Sequence, residues 1–527
     1  MSTLTVQLTG TGTLTRLALR RDRLMTPLWV LVTGGLVAGG VGTLEGLYGT
    51  AAQRAELAVS MTANSSMRSL YGPVFSDSLG GLVAWRFGTF AATLAAVMSL
   101  IIVVRHTREE EETGRQELLS SAVVGRRAPL TAALLAALAA NAGVALIVVA
   151  GLWGQGLGGA LALGLAVGGT GMFFAATAAI VAQLTESARL AKGLTAGVLG
   201  LAFALRAAGD AGGSAGSSAL TWLSPVGWAE NVRAFGGERW WVVLLIAGAV
   251  LAQAAVAYGL AGRRDVGMSF LPARPGPAEG ALGTAGALAW RLQRGAVLGW
   301  SLGFLLGGLV FGGMVEGAAD LVGDNEQARE IFERMGGQSG LTDAFLATMI
   351  GMFGMLAALF AVGAVLRPHG EELSQRAEPV LANAVGRVRW AAGHLLIAFA
   401  GAALIMVLAG LGLYVSYGRD LGPVLGASLA QLPAIWTLAG LTVLLWGAFP
   451  RAAVAGWGVA GLCLALGWIG PALDLPQAVL DLSPYGHLPK LPGAAMTWAP
   501  ALTLMALAAT LTTAGLWRLG RRDLITS

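Results

Sequence analysis

The sequence predicts an all-α polytopic membrane protein with about twelve transmembrane helices, arranged as two tandem parallel six-helix repeats. Two observations lead to this fold class. Of the 527 residues, 55% are hydrophobic and only 12% are charged, whereas a soluble domain carries roughly 25% charged residues. In addition, the second half of the chain repeats motifs of the first half in the same order.

Long apolar runs supply the predicted spans. A bilayer crossing needs about 20 consecutive apolar residues, and several uncharged runs approach or exceed that length. The weakest predicted span is 194–209, because it is short and contains Arg206. The runs that stand alone between charged residues are 24–44, 87–104, 240–262, 295–315, 344–366 and 452–473, and the longer uncharged blocks are 128–185, 390–418 and 421–450.

Basic residues set the predicted orientation. With twelve spans and both termini in the cytoplasm, arginine and lysine outnumber acids in the cytoplasmic segments, and acids predominate outside. This asymmetry is what the positive-inside rule predicts. The opposite orientation would place the basic clusters at 20–23, 263–264 and 521–522 outside. The N-terminus lacks a signal-peptide pattern, so we expect the first apolar run to remain as a span.

A charged motif occurs twice. RHTREEEETGRQELLSSAVVGR, residues 105–126, recurs as RPHGEELSQRAEPVLANAVGR, residues 367–387. We call these the first and second charged segments. Further matches occur in the same order along the two halves, which predicts an internal duplication. The other matches are Trp29 with Trp300, Lys192 with Arg451, Ser224 with Ser483, and the GRRD motifs that begin at Gly262 and Gly520.

The duplication divides the chain into a first half at 1–270, a linker rich in proline and glycine at 271–284 and a second half at 285–527. Because six spans per half is an even number, the repeats are predicted to be parallel. The two copies could serve packing alone, or they could enclose a pathway between equivalent halves. Transporter architecture favours the pathway.

The first charged segment is the most charged stretch of the chain. Thr107 is predicted to cap a short helix together with the glutamate three residues on, as in a capping box. Glu111 and Arg115 are predicted to pair four residues apart on one helix face, as are Glu372 and Arg376 in the second segment. The cluster could dock onto a soluble partner or form a solvated turn. Acids contribute little to topology, so four consecutive glutamates favour docking.

At these residues the chain resembles a known family. The pattern R-x-T-R-x-E-E-x-x-G-R-x-E-L-L, followed by V-G-R, is similar to the first cytoplasmic loop of actinobacterial ABC-2 type permeases. The tetronasin and polyketide-antibiotic exporter permeases, which are fused twelve-span chains, are the most similar group. The resemblance extends through both repeats. It implies an ABC-2 (type V exporter-like) permease fold in the bacterial cytoplasmic membrane.

In that family this loop carries a coupling helix that contacts the ATP-binding subunit. By resemblance, the ATPase-coupling role falls on matching positions of the two charged segments. These positions are Glu110, Glu111, Arg115, Glu117 and Arg126 in the first segment, and Glu371, Glu372, Arg376, Glu378 and Arg387 in the second. The second copy departs from the pattern, because Gln375 replaces Gly114 and Pro379 follows Glu378. We therefore expect the two halves to bind their ATPases with unequal strength.

The resemblance also assigns two flanking regions. The amphipathic segment 16–23 is similar to the family's connector helix on the inner membrane surface. The serine-proline segments at 224–225 and 483–484 are expected to belong to outer, partly re-entrant hairpins before each sixth span.

The chain lacks a nucleotide-binding motif. In a P-loop, a lysine must follow the second glycine of G-x-x-x-x-G-K-[ST]. The only two lysines follow other residues, since Lys192 follows alanine and Lys490 follows proline. We therefore expect no cofactor in this chain, with ATP and magnesium held by a partner. The expected assembly has two copies of a cytosolic ATP-binding cassette protein, one beneath each half.

Other chemistry has little support in the sequence. The formal net charge of +5 comes without a basic patch interleaved with aromatics, so no nucleic-acid partner is predicted. The single cysteine, Cys463, carries no redox information. The histidines are far apart and form no metal motif, and we predict neither a metal site nor an enzyme site. His106 and His369 are expected at the surface, and His394 is expected to be hydrogen-bonded at the membrane interface.

Polar residues within the spans are candidate pathway residues, because charge in hydrocarbon is costly. Arg206 could pair with Asp210 one turn on, or it could extend to the outer membrane edge; Asn141 is a second candidate. Buried charge is otherwise sparse, which favours a hydrophobic or amphipathic small-molecule cargo such as an antibiotic, drug or lipid. The alternatives are a secondary multidrug transporter driven by an ion gradient and, less well supported, a lipid-modifying membrane enzyme.

Overall fold

The protein is built from α-helices. The computed structural model describes residues 7–120, 123–213, 218–265, 267–271, 283–322, 341–419, 421–469 and 476–523, and these ranges contain no β-strand. The chain divides into two compact units, Met1–Pro275 and Gly276–Ser527. Residues 272–282 of the predicted linker lie outside the described ranges, and the arrangement of the units as parallel repeats remains a prediction.

The first unit alternates long apolar helices with short polar ones. Its helices are α1 (Thr11–Arg21), α2 (Met25–Leu47), α3 (Ala51–Ala63), α4 (Ser65–Tyr71), α5 (Leu79–His106), α6 (Arg108–Glu112), α7 (Arg115–Ser120), α8 (Ala128–Leu152), α9 (Leu157–Leu184), α10 (Ala188–Gly212), α11 (Ala219–Trp222), α12 (Pro225–Asn231) and α13 (Trp240–Ala261). Those long and apolar enough to cross a membrane are α2, α5, α8, α9, α10 and α13.

The second unit has a similar order of long and short helices. Its helices are α14 (Ala285–Val322), α15 (Leu341–Leu373), α16 (Glu378–Leu381), α17 (Arg387–Tyr417), α18 (Leu421–Leu429), α19 (Leu432–Ala448), α20 (Ala455–Ile469), α21 (Gln477–Leu480) and α22 (Trp498–Arg521). Membrane-spanning length and apolarity are found in α14, α15, α17, the combined α18 and α19, and α22.

Eleven candidate spans therefore occur in the described part of the chain, and they confirm the prediction of a polytopic helical membrane protein. The predicted span at 194–209 lies within α10, which has 25 residues. The predicted span at 452–473 contains α20, which has only 15 residues. Residues 470–473 of that span lie outside the described ranges.

The two serine-proline dipeptides begin helical turns in the same way. Ser224 accepts a hydrogen bond from the Gly227 N–H at 3.2 Å and caps α12. Ser483 accepts one from the Tyr485 N–H at 3.4 Å and caps the 3₁₀ turn Pro484–His487. Serine at the N-cap followed by proline at the first position is a strong helix start signal. The matching sequences therefore begin an α-helix in the first unit and a 3₁₀ turn in the second.

The charged segments break into short helices. In the first, α5 ends at His106, α6 covers Arg108–Glu112 and α7 begins at Arg115. In the second, α15 continues to Leu373 and α16 begins at Glu378. The predicted capping box is wrong, because the Thr107 side chain caps neither helix. Its hydroxyl instead donates to the Val103 carbonyl at 2.6 Å, in the preceding turn of α5.

Candidate functional site

Four consecutive glutamates of the first charged segment each bind a different group. Glu109 accepts a bond from the Lys192 ammonium at 3.1 Å. Glu112 accepts one from the Ala188 backbone N–H at 3.0 Å. Ala188 is the first residue of α10, where unpaired N–H groups and the helix dipole favour a carboxylate. These two glutamates therefore attach the segment to the start of α10.

Glu110 attaches the segment to the N-terminal helix. It accepts two bonds from Arg115, at 2.9 and 3.2 Å, and one from Arg21 at the end of α1. The predicted pair of Glu111 with Arg115 is wrong, because Arg115 binds Glu110. The reason is local: the four-residue rule needs a continuous helix, and Gly114 breaks the helix with φ of 72°.

Glu111 attaches the segment to the end of α13. Arg264 donates to its two carboxylate oxygens at 2.8 and 2.6 Å, so the contact is bidentate. Arg108 also forms an ion pair with Glu111. In addition, the Arg264 Nε donates to the Gln183 side chain near the end of α9, at 3.0 Å. The Glu111 and Arg264 side chains are only 12% and 7% exposed, so water screens this pair little.

The second charged segment has a corresponding pair. Arg522, just after α22, donates to both oxygens of Glu372 at 2.6 and 2.7 Å. The indole N–H of Trp446 in α19 donates to Glu372 at 3.0 Å. The predicted pair of Glu372 with Arg376 is wrong, because Arg522 binds Glu372 and Arg376 is exposed. The neighbouring Glu371 pairs with Arg367 at 2.7 Å.

Two further predicted residues contact the same arginines. The Arg126 guanidinium donates to the Arg264 carbonyl at 2.7 Å. The Arg387 guanidinium donates to the Arg522 carbonyl. Arg126 and Arg387 occupy matching positions in the two charged segments, and Arg264 and Arg522 occupy matching positions in the two GRRD motifs. Each unit therefore forms the same three-residue contact.

The remaining predicted coupling residues are accessible. Arg115, Glu117, Arg376 and Glu378 are all exposed. In the second unit an open groove of about 450 Å³ lies beside α16. Its lining residues are Glu378, Leu381, Ala382, Val385, Gly386 and Arg387. These exposed groups, rather than Glu110, Glu111 or Glu372, are available to an external partner.

The candidate pathway residue Arg206 is fully buried. Its guanidinium lies 3.4 Å from the Asp210 carboxylate and 3.5 Å from that of Glu230. It also donates to the carbonyls of Ser69 and Leu70, at 2.8 and 3.0 Å. The predicted pairing with Asp210 is thus confirmed. The two carboxylates and two carbonyls compensate the buried charge.

Asn141 is also buried. Its amide N–H₂ donates to the Ser99 hydroxyl of α5 at 2.8 Å and to the Ala137 carbonyl at 2.9 Å. Its carbonyl oxygen lies against Gly171 of α9. Asn141 therefore links three neighbouring spans. A pathway role for Asn141 or Arg206 remains a prediction.

The histidines have structural partners. Two predicted surface residues are largely enclosed instead: His369 is buried, and the His106 side chain is only 8% exposed. His106 contacts the Asp22 carboxylate at 2.6 Å. His394 is hydrogen-bonded to Gln293 at 2.8 Å. Within the described ranges, no group of three or more histidine, cysteine and acidic side chains is placed to hold a metal ion.

Sequence reasoning missed the partners of the charged segments. Arg264 and Arg522 were recognised only as part of a repeated GRRD motif and a basic cluster. A usable signal existed, because a repeated arginine and a repeated glutamate are opposite charges that the duplication preserves together. Arg21, Gln183 and Trp446 had no comparable signal, since their contacts with the segments depend on how distant helices pack.

The helices and their apolar runs define a multi-pass helical membrane protein. Residues 282–519 match the family model described as "Multidrug efflux system permease Rv1217c, C-terminal domain". The chain is also 43% identical over 532 residues to the "Multidrug efflux system permease protein Rv1217c" of Mycobacterium tuberculosis, covering 98% of this chain and 95% of that protein. The chain therefore belongs to the family of multidrug efflux system permeases.

Proposed function

We propose that this permease is the membrane-spanning subunit of an ATP-binding cassette exporter related to the ABC-2 type permeases, including those for tetronasin and polyketide antibiotics. It moves hydrophobic or amphipathic small molecules out of the cell across the bacterial cytoplasmic membrane. Two copies of a separate cytosolic ATPase bind ATP and magnesium. The name of the M. tuberculosis relative, a multidrug efflux system permease, supports drugs as cargo and export as the direction.

One observation carries the proposal: the glutamates at 109–112 join the short helix α6 to α1, α10 and the end of α13. Their partners are Arg21, Lys192, the Ala188 N–H and Arg264. A passive turn that only fixes topology has no need for four separate attachments. A segment that receives force uses them, because hydrogen-bond and salt-bridge networks carry coupling between distant sites.

The exposed residues give the ATPase a place to bind. Arg115 and Glu117 of α7, with Arg376 and Glu378 near α16, present both signs of charge to a partner. When the ATPases close on ATP, they displace α7 and α16. The bonded glutamates pass that displacement to the spans, and the route between the halves opens outward. Arg206 and Asn141 are retained as candidate residues of that route.

The ATPase must be supplied separately under this proposal. Neither lysine of the chain lies in a P-loop motif, so the P-loop lysine that reaches the nucleotide phosphates comes from another protein. The duplication supports one ATPase beneath each half, with both chain termini on the same, cytoplasmic side.

A reconstitution experiment tests the proposal. The permease is placed in liposomes with a lipophilic fluorescent dye, alone or with a cytosolic ATP-binding cassette protein from the same genome. We expect dye transport only with the ATPase, ATP and magnesium, and no transport with a non-hydrolysable ATP analogue. Transport by the permease alone, driven by a pH gradient and abolished by an uncoupler, would instead establish an ion-driven secondary transporter.

Charge reversal on the exposed helices tests the docking surface. The double variant Glu117→Arg with Glu378→Arg is expected to weaken ATPase binding to the liposomes, because both changes are exposed and alter the sign of the contact. Glu56→Arg, an exposed reversal on α3, is the matched control and should bind normally. Equal ATPase binding by the double variant and the control would refute the assigned surface.

A further inference from the structure

An arginine that follows the last span of each unit holds a glutamate of the charged segment with two bonds. Arg264 holds Glu111 at 2.8 and 2.6 Å, and Arg522 holds Glu372 at 2.6 and 2.7 Å. Charge-assisted bidentate contacts between arginine and carboxylate are strong and fix orientation as well as distance. The last span and the charged segment are thus connected by a stiff, partly buried contact.

In each unit a second arginine donates a hydrogen bond to the backbone carbonyl of the first arginine. Arg126 and Arg387, at the starts of α8 and α17, donate to the carbonyls of Arg264 and Arg522. We call Glu111, Arg264 and Arg126 the first clamp, and Glu372, Arg522 and Arg387 the second clamp. All six residues lie at positions that the duplication matches.

The spans that the clamps hold are the least buried of the candidate spans in the described residues. Of the candidate spans in the described residues, α13 and α22 have the smallest buried shares, 17% and 22%. In the first unit α13 packs against α9, and in the second α22 packs against α19. Because each of these spans packs mainly against one neighbouring span, a contact at its end controls a large part of its position.

We propose that Arg264 and Arg522 are positioning residues that transmit displacement of the charged segments to α13 and α22. Each clamp makes the last span of its half follow the coupling helix during the ATP cycle. The inference rests on the proposed function, because the displacement comes from the ATPase. The clamps do not form the docking surface, since Glu111 and Glu372 are held within the chain.

The two clamps differ in their additional support. Glu111 is also paired with Arg108, whereas Glu372 accepts the Trp446 N–H, lies 4.0 Å from a ring nitrogen of His369 and has a side chain only 1% exposed. Removing Arg522 therefore leaves a more deeply buried carboxylate without its main counter-charge than removing Arg264 does. We expect the second clamp to be the more sensitive of the two.

The test measures dye transported per ATP hydrolysed in the reconstituted complex. Arg264→Gln and Arg522→Gln are expected to lower this ratio about tenfold, within the range of typical coupling free energies between sites. ATPase binding and basal hydrolysis should stay within about twofold of wild type, because the docking surface is intact. Arg263→Gln and Arg521→Gln, exposed neighbours in the same motifs, are the matched controls and should keep the wild-type ratio.

A double-mutant cycle separates the clamp from general destabilisation. Glu111→Gln combined with Arg264→Gln should lower the ratio no further than either change alone, since both remove one interaction. Arg264→Lys, which keeps the charge but loses the bidentate geometry, should give an intermediate ratio. If the glutamine variants do not fold, Arg264→Lys still tests the inference. Additive losses in the cycle, or a wild-type ratio for Arg264→Lys, would overturn the inference.

The wild-type protein in the same liposomes distinguishes the two proposals. If its transport does not require ATP, the proposed function fails, and the clamps lose their driving force. If its transport requires ATP but the clamp variants keep the wild-type ratio, the exporter assignment stands and only the transmission role of Arg264 and Arg522 is refuted.

Discussion

Gln375 adopts the left-handed backbone conformation that Gly114 adopts at the matching position of the first charged segment. Their φ angles are 57° and 72°. Glycine takes this conformation at no steric cost, whereas other residues pay about 1–2 kcal/mol. The second segment therefore keeps the same sharp break before its short helix, but with a residue that strains it.

This relationship predicts that substitutions at the two positions have opposite effects on the free energy of unfolding. Gln375→Gly should raise the free energy of unfolding by about 1 kcal/mol, because the side chain is exposed and the strain is removed. Gly114→Gln should lower it by a similar amount. Thermal unfolding of the detergent-solubilised protein gives both values. A loss of stability in Gln375→Gly would contradict the strain argument.

A second prediction concerns the crossing of α14 and α17. A Cβ atom added to Gly412 would lie 3.0 Å from the Gly308 Cα, and one added to Gly308 would lie 3.0 Å from the Gly412 Cα. Small residues allow this close approach of membrane helices. Gly412→Ala should therefore destabilise the protein by about 1–3 kcal/mol, as overpacking does.

Gly303→Ala is the matched control for this crossing. Gly303 lies in α14 with open space beside it, so alanine should stabilise the helix by up to about 1 kcal/mol. Thermal melts of the two variants in the same detergent should shift in opposite directions. Equal shifts would mean that the glycines at the crossing are not needed for close packing.

The sequence predicts the membrane spans better than it predicts the partners of charged side chains. A span depends on a continuous apolar run, so 240–262 and α13 agree closely. The partner of Arg115 depends on whether its helix continues past Gly114, and the four-residue rule assumed that it does. The break in the backbone, not the charges, decided that Arg115 contacts Glu110 instead of Glu111.

Contacts across the fold were beyond sequence reasoning for a different reason. Glu111 and Arg264 are 153 residues apart, and their meeting depends on how α5 and α13 each pack against α9. The duplication preserves both residues, but a repeated pair of residues does not by itself indicate a contact between them. The same limit applies to Glu230, which lies beside Arg206 although they are on separate helices. Charges near each other in the sequence were easier to pair, as Asp210 with Arg206.

A third prediction concerns the buried charge of Arg206. Replacing it with methionine should destabilise the protein by about 3–5 kcal/mol, because Asp210 and Glu230 lose their shared counter-charge. Adding Glu230→Gln should recover part of this loss by removing one buried carboxylate. Unfolding midpoints of the single and double variants provide the measurement. A double variant that is less stable than Arg206→Met would contradict the assigned pairing.

A fourth prediction concerns pH and Asp22, which lies between α1 and α2. Its carboxylate contacts the His106 ring at 2.6 Å and Arg105 at 3.1 Å. Burial alone would raise the pKa of Asp22, but the hydrogen bond and charge of His106 and the charges of Arg105 and Arg21 outweigh it, so the pKa lies below the ordinary value of 3.8. The folded protein therefore releases this proton more readily than the unfolded chain.

The stability that ionised Asp22 contributes is then fully present well above pH 3.8 and is lost as the pH falls through the lowered pKa of the folded state. Asp22→Asn should lower the unfolding midpoint at about pH 5, and the difference from wild type should shrink in more acidic buffer. Asp77→Asn, at an exposed position, should change the midpoint little at any pH. A difference for Asp22→Asn that grows on acidification would mean that the pKa of Asp22 is raised rather than lowered.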